Sequence, residues 1–243
     1  MSPRSRFVLP ALLAVVALVC IRLGVWQLHR LAGRRAANRA ALAARSEPEL
    51  DLAQVGDTAG TARLANRRVR AVGQYDRTHE IVLRGVSLEE APGVQVVTPL
   101  RLPGGVAVLV KRGFVPAPDA VSADLAPLDE PGQVQVHGIA LPIESSGRPG
   151  LPLTRDGRTT WARLELDTLR RLLPYPLLGV YLLQAPDSGL PGFPRRLDVP
   201  LLDDGPHLSY AIQWFGFAAT ALIVGGIVAF RSPAQGPDHR APR

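Results

Sequence analysis

The stretch "YAIQWFGFAATALIVGGIVAF", Tyr210 to Phe230, carries no charge over its whole length. A helix needs about 20 largely apolar residues to cross a hydrocarbon layer of about 30 Å, so the stretch reads as a membrane span. A second apolar run lies at the other end of the chain, from Phe7 to Leu28, broken only by Arg22. The segment between them, from about Arg30 to Pro206, is polar enough to live in water. The expected organisation is a short tail (1–6), a first transmembrane helix (7–28), a helical extension (29–47), a β-rich domain (48–206), a second transmembrane helix (207–230) and a disordered tail (231–243).

The formal net charge of +7 and the pI near 10.6 come almost wholly from arginine, since Lys111 is the only lysine. Much of that arginine crowds next to the apolar runs: Arg4 and Arg6, Arg30 to Arg45, and Arg231 to Arg243. Basic flanks of membrane spans bind lipid headgroups, so the lipid bilayer is the expected partner of this charge. No helix-turn-helix, zinc spacing or ribonucleoprotein aromatics accompany it, which argues against nucleic acid. Cys20 is the sole cysteine, which excludes an intrachain disulfide and a cysteine-based metal cluster. The first run is long for a signal peptide and is followed by arginines, so an uncleaved anchor is expected.

Two spans put both tails on one side of the membrane and the middle domain on the other. Arg22, Arg30, Arg34, Arg35 and Arg39 at or beyond the far end of the first span outnumber Arg4 and Arg6 before it. By that count the middle domain faces the cytoplasm, whereas Arg231, Arg240 and Arg243 pull the other way. Charge alone leaves the orientation open.

In the middle domain, "AGRRAANRAALAAR" (Ala32 to Arg45) should continue the first helix until Pro48 stops it. Short strands follow: "RRVRAVGQY", with Val69, Ala71 and Gly73 on one face, then "EIVLR", "VQVVTPLRL", "VAVLVKRGFV", "QVQVHGIAL", "WARLEL" and "GVYLLQA". Turns bearing Gly and Pro, such as "LPGG" and "SSGRPG", separate them. "DTLRRLL", Asp167 to Leu173, reads as a short helix capped by Asp167 and closed by Pro174. The predicted fold is an α+β membrane protein, with two transmembrane helices flanking a small antiparallel β-rich domain, barrel- or sandwich-like.

Catalytic motifs are absent from the pattern. No glycine-rich loop leads into a helix with a Lys-Ser/Thr pair, and no Gly-x-Ser-x-Gly elbow occurs. Asp203 and Asp204 before Gly205, and "SLEEAPG", read as polar turns. Among the histidines, His239 lies in the tail, His137 in a strand and His79 in a turn. His29 ends the first span and His207 precedes the second, so both emerge on the same membrane face, with Trp26 and Trp214 on that half. Stepping from His207 by three or four gives Ala211, Trp214, Ala218, Ala221, Gly225 and Ala229 on one helix face. Such a small-residue seam serves close packing of the first span. A second use is as a groove for a flat apolar ligand beneath the imidazole, and haem suits it because histidine is its common axial ligand.

Several blocks together resemble the surfeit locus protein 1 family of cytochrome c oxidase assembly factors. "LGVWQLHR" (Leu23 to Arg30) is similar to its Leu-Gly-x-Trp-Gln-x-x-Arg signature. "VRAVGQYD", "PGVQVVTPL" and "VLVKRGFVP" resemble its central strands, and "HLSYAIQWFGFA" its entry to the second span. Departures are Lys111, where asparagine is common, and "DDGP" before His207. The resemblance implies a non-enzymatic membrane protein that aids maturation of oxidase subunit I, with haem a synthase as a further partner. It implies cytoplasmic tails and an extracytoplasmic β domain, and the absence of a transit segment before Phe7 points to the bacterial plasma membrane. It further implies binding of haem a, with His207 as the residue matching the implicated histidine. Trp26, Trp214 and Tyr210 join it as pocket-lining candidates from helix spacing. Arg112 has two readings, a guanidinium engaging a haem propionate or an oxidase subunit, and a residue paired within the domain beside a bulge at Gly113. A pure scaffold for subunit I that never touches haem is the alternative function.

Overall fold

A computed structural model describes residues 8–55, 61–145, 152–155 and 158–230. The tail expected at 231–243, residues 1–7 and most of the "SSGRPG" turn lie outside them. The chain divides into two compact units, Met1–Arg39 with Leu202–Arg243, and Ala40–Leu201.

The first unit is a helical hairpin. Helix α1 runs unbroken over Val8–Ser46, so the alanine- and arginine-rich extension does continue the apolar run, and it ends two residues before Pro48. The last helix, α4, spans His207–Phe230 and at 1.5 Å per residue is about 36 Å long. Both are long and apolar enough to cross a membrane. On α1 the buried positions Ala17, Cys20, Gly24, Gln27 and Leu31 alternate steps of three and four. On α4 the buried residues are Ala211, Ala218, Ala221 and Gly225. Ala17 and Cys20 pack against Ala218 and Ala221, with Leu13 and Trp214 beside them. Small side chains on both helices let the backbones approach, which is how apolar helices gain packing when lipid offers no hydrophobic drive. The seam predicted on α4 is therefore filled by α1, and only its last member, Ala229, is exposed.

Among the described residues the second unit is built on nine strands: β1 (Leu50–Asp51), β2 (Arg68–Tyr75), β3 (Ile81–Leu88), β4 (Ala91–Arg101), β5 (Ala107–Pro116), β6 (Gln133–Pro142), β7 (Leu153–Arg155), β8 (Arg158–Trp161) and β9 (Leu177–Gln184). Two short helices, α2 (Thr61–Leu64) and α3 (Leu166–Leu172), complete it. The order β2-β6-β9-β5-β4 closes on itself because the end of β2 also pairs with β4, at Gln74↔Arg101 and Tyr75↔Leu100. The result is a five-stranded barrel. Gly73 permits the closure, since a Cβ there would collide with the Arg101 carbonyl oxygen.

Alternation along β2 puts Val69, Ala71 and Tyr75 inside the barrel with Val108, Val110, Val136, Ala140, Val180 and Leu182. The outward face of β5 is covered too. Leu109 and Ala107 pack with Leu166, Leu169 and Leu173 around α3. That double burial explains why "VAVLV" reads as a continuous apolar run and not as an alternating one. The fold differs from the sequence reading in three places. The sheet is mixed, with β5 and β9 parallel, because α3 and its loop form a crossover that returns β9 in the same sense. "WARLEL" is not a strand: only Trp161 belongs to β8, Ala162 and Arg163 form a bend, Glu165 caps α3, and buried Leu166 is its first residue. The α3 cap is Glu165, whose carboxylate accepts from the Thr168 N–H at 2.7 Å, while Asp167 instead accepts from Ser145 Oγ.

A strap from Ala185 to Leu201 leaves β9 and crosses back over β5, where Phe114 and Arg195 form an antiparallel bridge. Gly113 makes room for it: φ is +146°, and a Cβ would collide with the Arg195 carbonyl oxygen. Glu89, in the left-handed turn between β3 and β4, grips the Arg195 guanidinium with both oxygens at 2.6 and 2.9 Å. Gly113→Ala combines an unfavourable φ with a backbone collision, so it should destabilise the β unit by about 1–3 kcal/mol. Denaturant unfolding followed by tryptophan fluorescence checks this, and an unchanged midpoint would remove the strap's claim on Gly113.

Candidate functional site

The residues singled out in the sequence fall in both units. In the helical unit, His207 is the first residue of α4 and Gln27 is a buried residue of α1. The His207 Nδ1–H donates to Gln27 Oε1 at 2.8 Å. An amide oxygen can only accept, so this bond fixes the proton on Nδ1 and leaves the ring's lone pair on Nε2. Beside the ring lies Gly205, with φ +67°; a Cβ there would sit 3.5 Å from Cδ2 and 3.7 Å from Nε2. Glycine thus serves the turn and places no side chain against that edge of the imidazole. Gly24, one turn before Gln27, admits the ring of Phe215, which a Cβ would meet at 2.7 Å. Within "LGVWQLHR", then, the glycine and the glutamine do the packing and the hydrogen bonding.

The aromatic candidates are distributed unevenly around His207. Trp214 is half-buried, packed on the seam and edge-to-face with Phe217 at 5.9 Å. Tyr210 is 45% exposed and Trp26 is 54% exposed, both off the buried seam. His29 is also exposed.

The loop before α4 is tied down rather than free. Asn38 Nδ2 and Arg34 Nε donate to the Asp203 carbonyl oxygen at 2.7 and 3.2 Å. Arg35 pairs with the Asp204 carboxylate at 2.8 Å, and Arg34 approaches that of Asp203 at 3.8 Å. The two aspartates that read from sequence as a polar turn also anchor the loop to α1, and their partners lie 165 to 169 positions away. Only the hairpin brings them together.

Arg112 belongs to the β unit, and its role there is internal. Val96 pairs with Gly113 and Val97 with Lys111, so Arg112 is the extra residue of a β-bulge. The bulge breaks the alternation and buries the guanidinium at 1% exposure. There it donates to Glu130 Oε1 at 2.7 Å, to the Leu128 carbonyl, and to Glu80 Oε2 at 3.4 Å. It also lies 4.9 Å from the ring centroid of Tyr75, a phenol whose pKa burial pushes well above its ordinary value. Arg196 of the strap shares Glu130 at 3.3 Å. The reading of Arg112 as a contact for a propionate is corrected on this geometry: its carboxylates are the chain's own. His79 and His137 are internally engaged as well. His79 pairs with Asp76 at 2.8 Å, and His137 donates to Glu49 at 2.9 Å while accepting from Gln135. Among the described residues no group of three or more His, Cys, Asp or Glu could hold a metal ion.

The SURF1 family model matches residues 14–219, from within α1 to within α4. The chain belongs to the SURF1 family. It is 31% identical over 222 residues to a SURF1-like protein of Monosiga brevicollis, covering 85% of this chain and 82% of that one. A SURF1-like protein of Rickettsia bellii is 26% identical over 235 residues, 93% of each chain. A SURF1-like protein of Mycobacterium bovis is 33% identical over 168 residues, which are 68% of this chain and 60% of the relative. The chain therefore spans less than two thirds of the mycobacterial protein it matches. Two terminal apolar helices and a β-rich domain are the architecture of this SURF1-family chain.

Removing Arg112 would leave Glu80 buried without its cation, so Arg112→Met should cost about 3–5 kcal/mol of stability. Adding Glu80→Gln should recover part of that loss, because both charges then disappear together. Chemical denaturation of the single and double variants measures it. A single variant as stable as wild type would mean the cluster does not hold the fold.

Proposed function

We propose that this protein is an assembly factor for a haem–copper cytochrome c oxidase, acting on subunit I without catalysing a reaction, and that His207 would hold the iron of haem a during delivery. Membership of the SURF1 family supports the assembly role. The observation that carries the ligand role is the 2.8 Å bond from His207 Nδ1–H to Gln27. It orients the imidazole through its second nitrogen, as metal-ligating histidines commonly are, and leaves Nε2 as the coordinating atom. The lack of a side chain at Gly205 beside that ring edge fits that use. The residues that would hold haem a are His207 at the iron, with Trp214, Tyr210 and Trp26 as aromatic flanks. When bound, haem a supplies the redox centre that subunit I requires. The chain's own contribution is to bind, to orient and to release, with haem a synthase as the donor partner.

In this reading α1 and α4 cross the bacterial plasma membrane, both tails are cytoplasmic and the β unit is outside. The arginines that argue against this orientation include Arg34 and Arg35, and both are engaged by Asp203 and Asp204. Long translocated domains tolerate basic flanks. A fluorescent protein fused to the C-terminus should glow in intact cells; a dark fusion with an active alkaline phosphatase counterpart would reverse the orientation.

A second reading, a scaffold that holds subunit I without haem, draws on the seam of α4 being filled by α1. The two readings part at His207. Protein purified from cells making haem a should show a pyridine-haemochrome signal that His207→Ala lowers about ten-fold or more, with Gln27→Leu intermediate. If the wild type carries no haem above a membrane-protein control, or His207→Ala keeps all of it while subunit I still co-purifies, the scaffold reading replaces the ligand one.

A further inference from the structure

The β unit carries a polar groove that the assembly role does not use. It lies where β2 and β4 end and β6 and β9 begin. A central hollow of 580 Å³ is lined by Asp76, His79, Arg101 and Tyr175. It shares Pro174 and Tyr175 with a hollow on one side that reaches Arg170, and Gln74 and Arg101 with one on the other that reaches Gln133. Along all three, among the described residues, Asp76 is the one acidic lining residue, against Arg77, Arg101, Arg170 and His79.

That single carboxylate is fully engaged. Its Oδ1 accepts from the Thr78 N–H at 3.0 Å, and its Oδ2 accepts from His79 Nδ1–H at 2.8 Å and from the Tyr175 hydroxyl at 2.9 Å. Burial raises its pKa, but the bonds from His79 and Tyr175 outweigh this and hold it below the ordinary carboxylate value. Of the cations, Arg77 is occupied by Asp129 at 2.8 Å and by the Leu125 carbonyl. Arg170 reaches the Leu177 carbonyl at 3.5 Å. Arg101 differs from both. It is exposed, its guanidinium lies 5.6 Å from the centroid of Tyr175, and among the described residues it has no carboxylate or carbonyl partner. A cation–π contact with a ring leaves the N–H groups of a guanidinium for an acceptor in the fork geometry that suits oxyanions. His79 meets the same ring edge-on at 6.0 Å, and its Nε2 has no partner among the described residues.

We infer that this groove binds a phosphate group, with Arg101 as the bidentate contact and His79 Nε2 as the second, while Asp76 and Tyr175 position them. His79 donates from Nε2 as the imidazolium and accepts from a phosphate hydroxyl as the neutral ring, and Asp76 retains the Nδ1 proton in both forms. The phosphate belongs either to a lipid headgroup or to a soluble compound, and the recognition chemistry is the same for both.

The test uses the full chain in maltoside detergent free of phosphate, with the imidazole proton–nitrogen signals as readout. Inorganic phosphate should shift the His79 signals saturably and leave those of His137 and His207 in place. Arg101→Gln should weaken the response about ten-fold or more, and Arg101→Lys, which keeps the charge but not the fork, should fall between. Nanodiscs of digalactosyl lipid with and without phosphatidylglycerol separate the sources. A shift in the phosphatidylglycerol discs before any phosphate is added assigns the lipid headgroup; a shift only on adding phosphate assigns the soluble ligand. Absence of a saturable shift in both arms, or a response undiminished in Arg101→Gln, overturns the inference. Haem retention is not read in this experiment, so its failure leaves the role of His207 to its own test.

Discussion

A guanidinium at 1% exposure is the constraint on which the β unit depends. A charge taken out of water is tolerated only with close partners, so Arg112 dictates what must surround it. Glu80 is the residue just before β3, Leu128 and Glu130 come from the segment between β5 and β6, and Tyr75 from the barrel interior. Arg196 reaches the same carboxylate from the strap. One side chain thereby sets the positions of the segment over β5 and of the chain leaving β9. The bulge that aims it inward also leaves Gly113 where the strap's backbone needs space.

The helical unit solves a different problem. Along its apolar runs the large side chains point outward, so large interlocking side chains are not what pairs the two helices. Small residues supply close contact instead, and the polar groups at the end of the seam supply direction. Gln27 with His207, and Asn38 with the Asp203 carbonyl, are bonds that a sliding hairpin would lose. Both fix the register of α1 against α4. The same bond that fixes register also sets the tautomer of His207, so packing and ligand readiness follow from one contact.

The elements legible in the sequence were those with a period. Both apolar helices, the alternation of Val69, Ala71 and Gly73, and the strands β2 to β6 and β9 follow from pattern alone. The His207 seam was legible too, as a row of small residues. What fills it was not, because a small-residue stripe reports only that something comes close. Asp203 and Asp204 do form the polar turn read from the sequence, but their pairing with α1 was not legible because those partners are remote in sequence. Arg112 gave two readings for the same reason: a lone arginine in a strand has no visible partner until the segment carrying Glu130 folds back over it.

By itself the sequence determined two membrane-length helices, a strand-rich domain between them, and a family signature spread across both. Those features rest on local periodicity and on residue types, which a linear reading contains. Only the tertiary structure decided that the strands close into a mixed barrel, that Arg112 is an internal clamp, that the seam is occupied, and that Gln27 assigns the proton on His207. Each of these is a contact between positions far apart in the chain. The energy of such contacts depends on burial and distance, and neither exists until the chain has folded.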